Sequence, residues 1–201
     1  MKLTLDYEDE TKMRFGVSGA SVGFANLLRR YFTNQVPLFA IDTITVYENT
    51  SSLFDEYIAN RIGLVPLKMA SGYKPGDEVL FTLDAHGPST VYSEDLKNVG
   101  EKIRVANERI PLLKLLEEQN LRLEAKARMG VGRKHAKFQL GIGGYEIDGG
   151  QFKFKVETFQ QLTPRDGLVR ACEIVEQKCD DFIGQLGEIG KAAKPGEKKK
   201  D

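Results

Sequence analysis

Residues 24–67 read FANLLRRYFTNQVPLFAIDTITVYENTSSLFDEYIANRIGLVPL. Apolar residues in the first part of this stretch recur at the three- and four-residue spacing of an amphipathic helix, and Ser21 just before it is a good N-cap. We therefore predict a helix over residues 21–35, which Pro37 ends. Its apolar stripe consists of Phe24, Leu27, Leu28, Tyr31 and Phe32.

The segments on either side of this helix have the alternation of β-strands. The residues from Leu38 to Tyr47 predict a strand, and Asp55 to Ile62 predict a short helix that ends at Gly63. Before the helix, two alternating segments predict a hairpin. Their apolar residues are Leu3, Leu5 and Tyr7, then Met13, Phe15 and Val17.

The middle of the chain, residues 44–145, has shorter and more irregular patterns. Alternating apolar residues predict strands over 79–83 and 121–129, whereas Leu112 to Glu118 predicts a short helix after a proline. Glycine-rich segments at 130–137 and 141–144 predict loops. This part is therefore expected to be mostly β-structure.

The last ordered segment begins with a strand, in which Phe152, Phe154 and Val156 alternate. Thr163 and Pro164 then predict the N-cap and first residue of a long helix. Apolar residues along that helix step by four and three residues, as in a heptad seam. The seam consists of Leu168, Cys172, Val175, Cys179, Phe182, Leu186 and Ile189, and Val169 and Ile183 widen it. The helix packs either on its own sheet alone or partly on another subunit.

Composition excludes several classes of protein. The 201 residues include 29 basic and 29 acidic side chains, so there is no overall field for nucleic acid. The five lysines in residues 191–201 predict a disordered basic tail. We find no apolar run long enough to cross a membrane, and an acidic N-terminal segment does not fit a signal peptide. The chain is expected to be cytoplasmic.

Catalytic and metal-binding motifs are missing from the sequence. Gly130-Val-Gly132 is too short for a dinucleotide loop, and His135 between basic residues is a poor candidate for a general base. The two cysteines and two histidines are scattered, which does not fit a metal site. Cys172 and Cys179 on one helix would be about 10 Å apart, beyond disulfide reach.

A group of basic residues follows the predicted strand over 121–129. Arg128, Arg133, Lys134 and Lys137 form either a solvated loop, an ion-paired protein contact or a nucleic-acid contact. Phe138 is the only aromatic residue nearby, so stacking on bases is poorly supported.

The opening stretch resembles a family of RNA polymerase subunits, the archaeal and eukaryotic relatives of the N-terminal domain of the bacterial alpha subunit. Leu27 and Ile44 are mild departures, since a small residue and a valine are usual there. The resemblance rests on Phe24-Ala-Asn-Leu-Leu-Arg-Arg30, Val36-Pro37, Ala40-Ile-Asp42, Glu48-Asn-Thr-Ser51, Asp55-Glu56, Ile58-Ala59 and Arg61-Ile-Gly-Leu-Val-Pro-Leu67.

Two later blocks are also similar to this family, namely Leu121 to Ala127 with His135-Ala-Lys137, and Phe152 to Leu186. The resemblance implies an α+β fold with a discontinuous dimerisation domain like that of the alpha N-terminal domain. Residues 1–43 and 146–190 would form that domain, and residues 44–145 would form an inserted, mostly β domain. The tail would be residues 191–201.

The resemblance also implies partners and a role. The two long helices would pair with a smaller subunit, L, and the heterodimer would bind subunits N, P and B. The chain would be a non-catalytic assembly subunit of a DNA-dependent RNA polymerase, a nucleotidyltransferase, with no catalytic contact to DNA. The implied interface residues are Phe24, Leu28, Arg29, Arg30, Tyr31 and Phe32, together with the seven residues of the seam.

Two departures bear on cofactors. Some relatives carry an iron–sulfur domain after the His-Ala-Lys motif, but only Gln139 to Gly150 follow it here, with no cysteine. The segment Asp84 to Asp95, where eukaryotic relatives often bind zinc, also has no cysteine. We therefore expect no cofactor and an archaeal member of the family. The alternative is a free-standing nucleic-acid-binding module that uses residues 128–137 and the tail.

Overall fold

In the computed structural model, ten β-strands and three α-helices make up the described part of the chain, which is residues 1–192 without residues 71, 75 and 101. The helices are α1 (Val22–Asn34), α2 (Asp55–Gly63) and α3 (Pro164–Ala192). The strands are β1 (Lys2–Glu8), β2 (Lys12–Ser18), β3 (Leu38–Asn49), β4 (Glu78–His86), β5 (Ser89–Tyr92), β6 (Lys97–Asn98), β7 (Pro111–Leu115), β8 (Asn120–Gly130), β9 (Gly141–Asp148) and β10 (Gln151–Thr158).

The first sheet joins the two ends of the chain. Its strand order is β1-β2-β10-β9, and all neighbouring strands are antiparallel. Phe15 lies opposite Phe154, and their rings stack with centroids 4.9 Å apart. The apolar face of β2 and β10 is buried against α1 and α3, which gives one core for residues far apart in sequence.

Local capping and close packing fix the two long helices on this sheet. The Ser21 side chain accepts a hydrogen bond from the backbone N–H of Phe24 at 3.2 Å, as predicted for an N-cap. At the start of α3, the Thr163 hydroxyl accepts one from the N–H of Asp166 at 3.2 Å. Gly167 lets α3 approach the core, because a Cβ there would lie 2.4 Å from the Leu140 side chain.

The second sheet contains most of the middle of the chain. Its strand order is β3-β8-β4-β6, with β8 at the centre, and β5 pairs separately with β7. Alternate residues of β8 are buried, and α2 packs on β3 with Ile58 and Ile62 fully buried. These elements enclose a second apolar core, so the predicted α+β class with an inserted, mostly β part is confirmed.

The two cores meet at short segments of chain. Core residues up to Leu38 belong to the first core and those from Phe39 to Ala127 to the second, while Leu140 returns to the first. Met69 packs against both. Strand β3 begins at Leu38 and β9 at Gly141. The predicted domain boundaries, after residue 43 and after residue 145, stay a prediction.

Two sequence-based predictions of local structure are wrong. Leu112 to Glu118 is not a helix, because Pro111–Leu115 forms β7 and pairs with β5. Short apolar runs do not distinguish helix from strand, and here the pairing partner decides. Residues 141–144 are not a loop but the start of β9. Gly141 is needed for close strand packing, since a Cβ would lie 1.9 Å from the carbonyl oxygen of Glu157.

The remaining predicted elements are confirmed, with ends shifted by a few residues. The predicted tail overlaps α3 at residues 191 and 192, and residues 193–201 lie outside the described part of the chain. No helix within that part combines the length and the hydropathy needed to cross a bilayer.

Candidate assembly interface

Helix α3 has two halves with different surroundings. In the first half, Ala171 is buried against the first core, and Leu168, Ile174 and Val175 are half-buried. From Glu176 to Ile189 every residue is exposed. At 1.5 Å per residue, this second half extends about 20 Å with nothing from the described chain packed on its apolar side.

The predicted seam continues along this exposed half. Phe182, Ile183, Leu186 and Ile189 are 62%, 64%, 52% and 65% exposed, and Cys172, Cys179 and Val169 are exposed as well. We call the four large residues from Phe182 to Ile189 the distal strip. Packing of α3 on its own sheet therefore covers part of the first half of the seam, and no described residue covers the apolar surface of the distal strip.

The predicted interface residues of α1 fall into two groups. Leu28 and Phe32 are buried in the chain's own core, so they support the helix from inside. Phe24, Arg29 and Tyr31 are half-buried and Arg30 is exposed, which leaves these four accessible on the helix surface. The single stripe predicted from the sequence thus combines an internal face with an external one.

The two cysteines lie on the external side of α3, and both are free. Partial burial raises the pKa of the Cys172 thiol, and the neighbouring Glu173 carboxylate raises it further. A raised pKa favours the uncharged thiol, which suits a position among apolar residues.

Strand β1 contributes an apolar surface, although its sequence pattern predicted only an ordinary hairpin. Leu3 pairs with Val17 and Leu5 with Phe15, so both face the helix-covered side of the sheet. Helix α3 contacts this edge strand through the ion pair of Arg165 with Glu8, but the helices leave Leu3 and Leu5 59% and 54% exposed. The alternation of β1 in the sequence indicated an apolar face. The exposure of that face could not be predicted, because it depends on where the helices end.

A second exposed apolar group lies on the inserted part, around α2. Phe54, at the N-cap of α2, is 81% exposed, and Tyr57 and Leu64 are also exposed. The Arg61 guanidinium lies 6.0 Å from the centroid of the Tyr57 ring and donates to the carbonyl of Pro111. The sequence pattern of these residues predicted the helix but not the surface patch.

The His-Ala-Lys loop is fixed to β3 by ion pairs. Lys137 Nζ lies 2.6 Å from one carboxylate oxygen of Asp42, and Arg128 Nε lies 2.7 Å from the other. The side chains of Lys137 and Asp42 are only 14% and 20% exposed. Two of the four cations in the predicted basic group are therefore paired with one carboxylate within the chain, which weakens the group as a nucleic-acid contact.

We expect Asp42→Asn to destabilise the protein in a pH-dependent way. The hydrogen bond from Lys137, aided by the charges of Lys137 and Arg128, lowers the pKa of Asp42 despite its partial burial. A lowered pKa stabilises the fold above the unfolded value of about 3.9, and this stabilisation is lost as pH falls through the folded value. At pH 7 the variant should lose about 1–3 kcal/mol of unfolding free energy.

Urea unfolding at pH 7 and near pH 3 measures this difference, which should shrink at the lower pH. Glu78→Gln is the control, because its contact with Lys126 is exposed and 4.0 Å long. We expect a change of at most about 0.5 kcal/mol there. An Asp42→Asn loss of equal size at both pH values would contradict the ion-pair explanation.

Possible metal ligands do not cluster in the described residues, where no group of three His, Cys, Asp or Glu side chains is placed to hold an ion. The expectation that the chain has no cofactor stays a prediction.

Comparison with known proteins identifies the family. The family model of the RNA polymerase Rpb3/RpoA insert domain matches residues 40–148, which is more than half of the chain. A subunit Rpo3 of DNA-directed RNA polymerase from Methanocaldococcus jannaschii is 39% identical over 168 residues, which is 83% of this chain and 86% of that protein. The chain belongs to the Rpo3 family of RNA polymerase subunits.

Other members of the Rpo3 family have a similar sequence identity to this chain, but the alignments cover different shares of their own length. The subunit Rpo3 from Natronomonas pharaonis is 45% identical over 141 residues, 70% of this chain and 57% of its own length. The one from Methanothermobacter thermautotrophicus is 38% identical over an alignment of 260 positions, which covers 91% of this chain and 98% of the relative. The chain spans little more than half the length of the Natronomonas protein, which therefore contains sequence with no counterpart here.

Proposed function

We propose that this Rpo3-family chain is a non-catalytic scaffold subunit of an archaeal DNA-dependent RNA polymerase and forms a heterodimer with the smaller subunit L. One observation carries the proposal, namely the uncovered distal strip of α3. A helix that presents four large apolar residues to solvent in a monomer is typical of a subunit that is completed by a partner.

Burial of the distal strip alone does not account for a tight dimer. Burial of four large apolar side chains contributes on the order of 6–12 kcal/mol before entropy, at about 1.5–3 kcal/mol each. Loss of translational and rotational freedom costs about 4–15 kcal/mol. A tight dimer therefore needs further apolar contacts, and we assign these to the exposed Leu3 and Leu5 of β1 and to the external residues of α1, Phe24 and Tyr31.

The other partners follow from the same role. We propose that Arg29 and Arg30 contribute to the surface that binds subunits N, P and B, because guanidinium groups suit polar protein contacts. The exposed aromatic patch around Phe54 is a second surface available to these subunits. The chain itself would hold no active site and no cofactor, and it would act in the cytoplasm as part of the nucleotidyltransferase.

Co-purification tests this function. We expect a tagged full-length chain, expressed in an archaeal host, to recover a smaller L-like subunit in equal amount and the large polymerase subunits with it. Because apolar contacts do not weaken with salt as ionic contacts do, the smaller subunit should remain bound at about 1 M salt, where screening extends over only about 3 Å. Recovery of the chain as a monomer, or bound only to nucleic acid, would contradict the proposal.

A further inference from the structure

A polar groove lies between three elements that are distant in sequence. It has a volume of about 800 Å³ and is bounded by α1, by the loop after β8 and by the middle of α3. Each element contributes one cation, respectively Arg30, Arg133 and Lys178. We call this the three-cation groove.

Within the described part of the chain, the three cations have no paired counter-charge. All three side chains are exposed, and none forms a salt bridge with a carboxylate among the described residues. This distinguishes them from Arg128 and Lys137 nearby, which are both paired with Asp42. The groove therefore keeps a net positive charge that an anionic group could balance.

The walls of the groove are fixed before any ligand binds. The backbone N–H of Arg133 donates to the carbonyl of Asn34 at 3.0 Å, and the Gln139 amide donates to the Asn34 side chain at 3.1 Å. Gly132 permits this approach, since a Cβ there would lie 3.1 Å from the carbonyl oxygen of Thr33. Fixed walls reduce the entropy lost on binding.

The position of Lys178 is also defined. Its ammonium group lies 5.2 Å from the centroid of the Tyr31 ring, within the range of a cation–π contact. This contact connects the exposed half of α3 to α1. The Lys178 side chain and the backbone of Arg133 are thus held beside the groove by separate local contacts.

We propose that the three-cation groove binds a short acidic segment of a protein partner, with two or more Asp or Glu side chains. Guanidinium groups bind carboxylates in a bidentate manner, and the flanking amides of Asn34 and Gln139 can bond to the backbone of a peptide. The inference rests on the proposed scaffold function for the source of the segment, which would be another polymerase subunit.

The charge around the groove favours a peptide over nucleic acid. A nucleic-acid strand is longer than the groove and would continue along α3, where Asp180, Asp181 and Glu188 are exposed beyond Lys178. These carboxylates repel phosphates but not a short peptide confined to the groove. Tyr31 is the only aromatic residue among the described groove-lining residues, and Lys178 already lies over its ring, so stacking on bases is not supported.

Fluorescence anisotropy with the full-length chain, alone and bound to subunit L, tests the proposal. The probe is a fluorescein-labelled peptide with four consecutive Asp and Glu residues, at about 50 mM salt. We expect the triple variant Arg30→Gln, Arg133→Gln and Lys178→Gln to bind the peptide about tenfold more weakly, since three exposed ion pairs are removed.

A charge-matched control removes three exposed cations elsewhere, through Arg109→Gln, Arg122→Gln and Lys134→Gln. Lys134 follows Arg133 directly but does not line the groove. This variant therefore shows whether the position of the removed cations, or only the loss of three positive charges, weakens peptide binding. We expect it to change peptide affinity less than about threefold. Equal losses for the two triple variants would overturn the proposal.

Two further outcomes separate the alternatives. If a labelled oligothymidylate of 20 nucleotides loses more affinity than the peptide in the groove variant, the groove is a nucleic-acid site and the proposal is wrong. If the groove variant loses peptide affinity while the tagged chain recovers no polymerase subunits, the groove stands and the scaffold function fails. Retention of subunit L by the groove variant is expected, because the distal strip is unchanged.

Discussion

Replacement of Phe182 and Leu186 by aspartate should abolish the pairing of this chain with subunit L. Each substitution removes about 1.5–3 kcal/mol of apolar burial and also places a carboxylate against an apolar surface. A combined loss of at least about 4 kcal/mol raises the dissociation constant about a thousandfold. Isothermal titration of the purified chain with purified subunit L measures the change.

The control is Gly184→Asp, which adds a charge to the same turn of α3. Residue 184 lies two positions from Phe182 and therefore on nearly the opposite side of the helix, and its surroundings are open. We expect a change of less than about threefold there. Since all these positions are exposed in the chain alone, circular dichroism should show the same fold for each variant. Wild-type affinity in the double variant would show that the distal strip is not the interface.

Phe32→Ala should cost about 3–5 kcal/mol of unfolding free energy, because it removes a fully buried ring from the first core. Gly167 of α3 approaches this ring, so the cavity would lie beneath both long helices. Urea unfolding followed by circular dichroism measures the loss. A loss of this size in the chain alone would show that Phe32 stabilises the core, whereas the family resemblance implied that it contacts a partner.

Phe54→Ala is the matched control, since it removes the same side chain from a position that is 81% exposed. Surface substitutions of this kind change stability by about 0.5 kcal/mol or less. Similar losses in the two variants would mean that Phe32 is not held in a packed core.

Elements with strong local signals were predictable from the sequence. Helix α1 follows from its capping serine and its apolar spacing, and α3 follows from Thr163 and Pro164. Strand β8 alternates without interruption because its residues are buried on one face only. In these elements the periodicity of the chain and the burial in the fold agree.

Other features depend on contacts between distant residues. Strands β7 and β9 could not be predicted because pairing with β5 and β10, not local preference, determines them. The ion pair of Asp42 joins positions 95 residues apart, and no local pattern indicates it. The heptad seam was visible in the sequence. The position along α3 at which contact with the chain's first core ends was not.

The length of α3 has a consequence for the amount of this protein in the cell. If the proposed heterodimer forms, a newly made chain that has not yet bound subunit L would present the distal strip to chaperones and proteases, which recognise exposed apolar segments. Its steady-state amount should then follow the supply of the partner, with surplus copies degraded. The exposed end of α3 would thereby keep the amounts of the two subunits equal without a dedicated regulator.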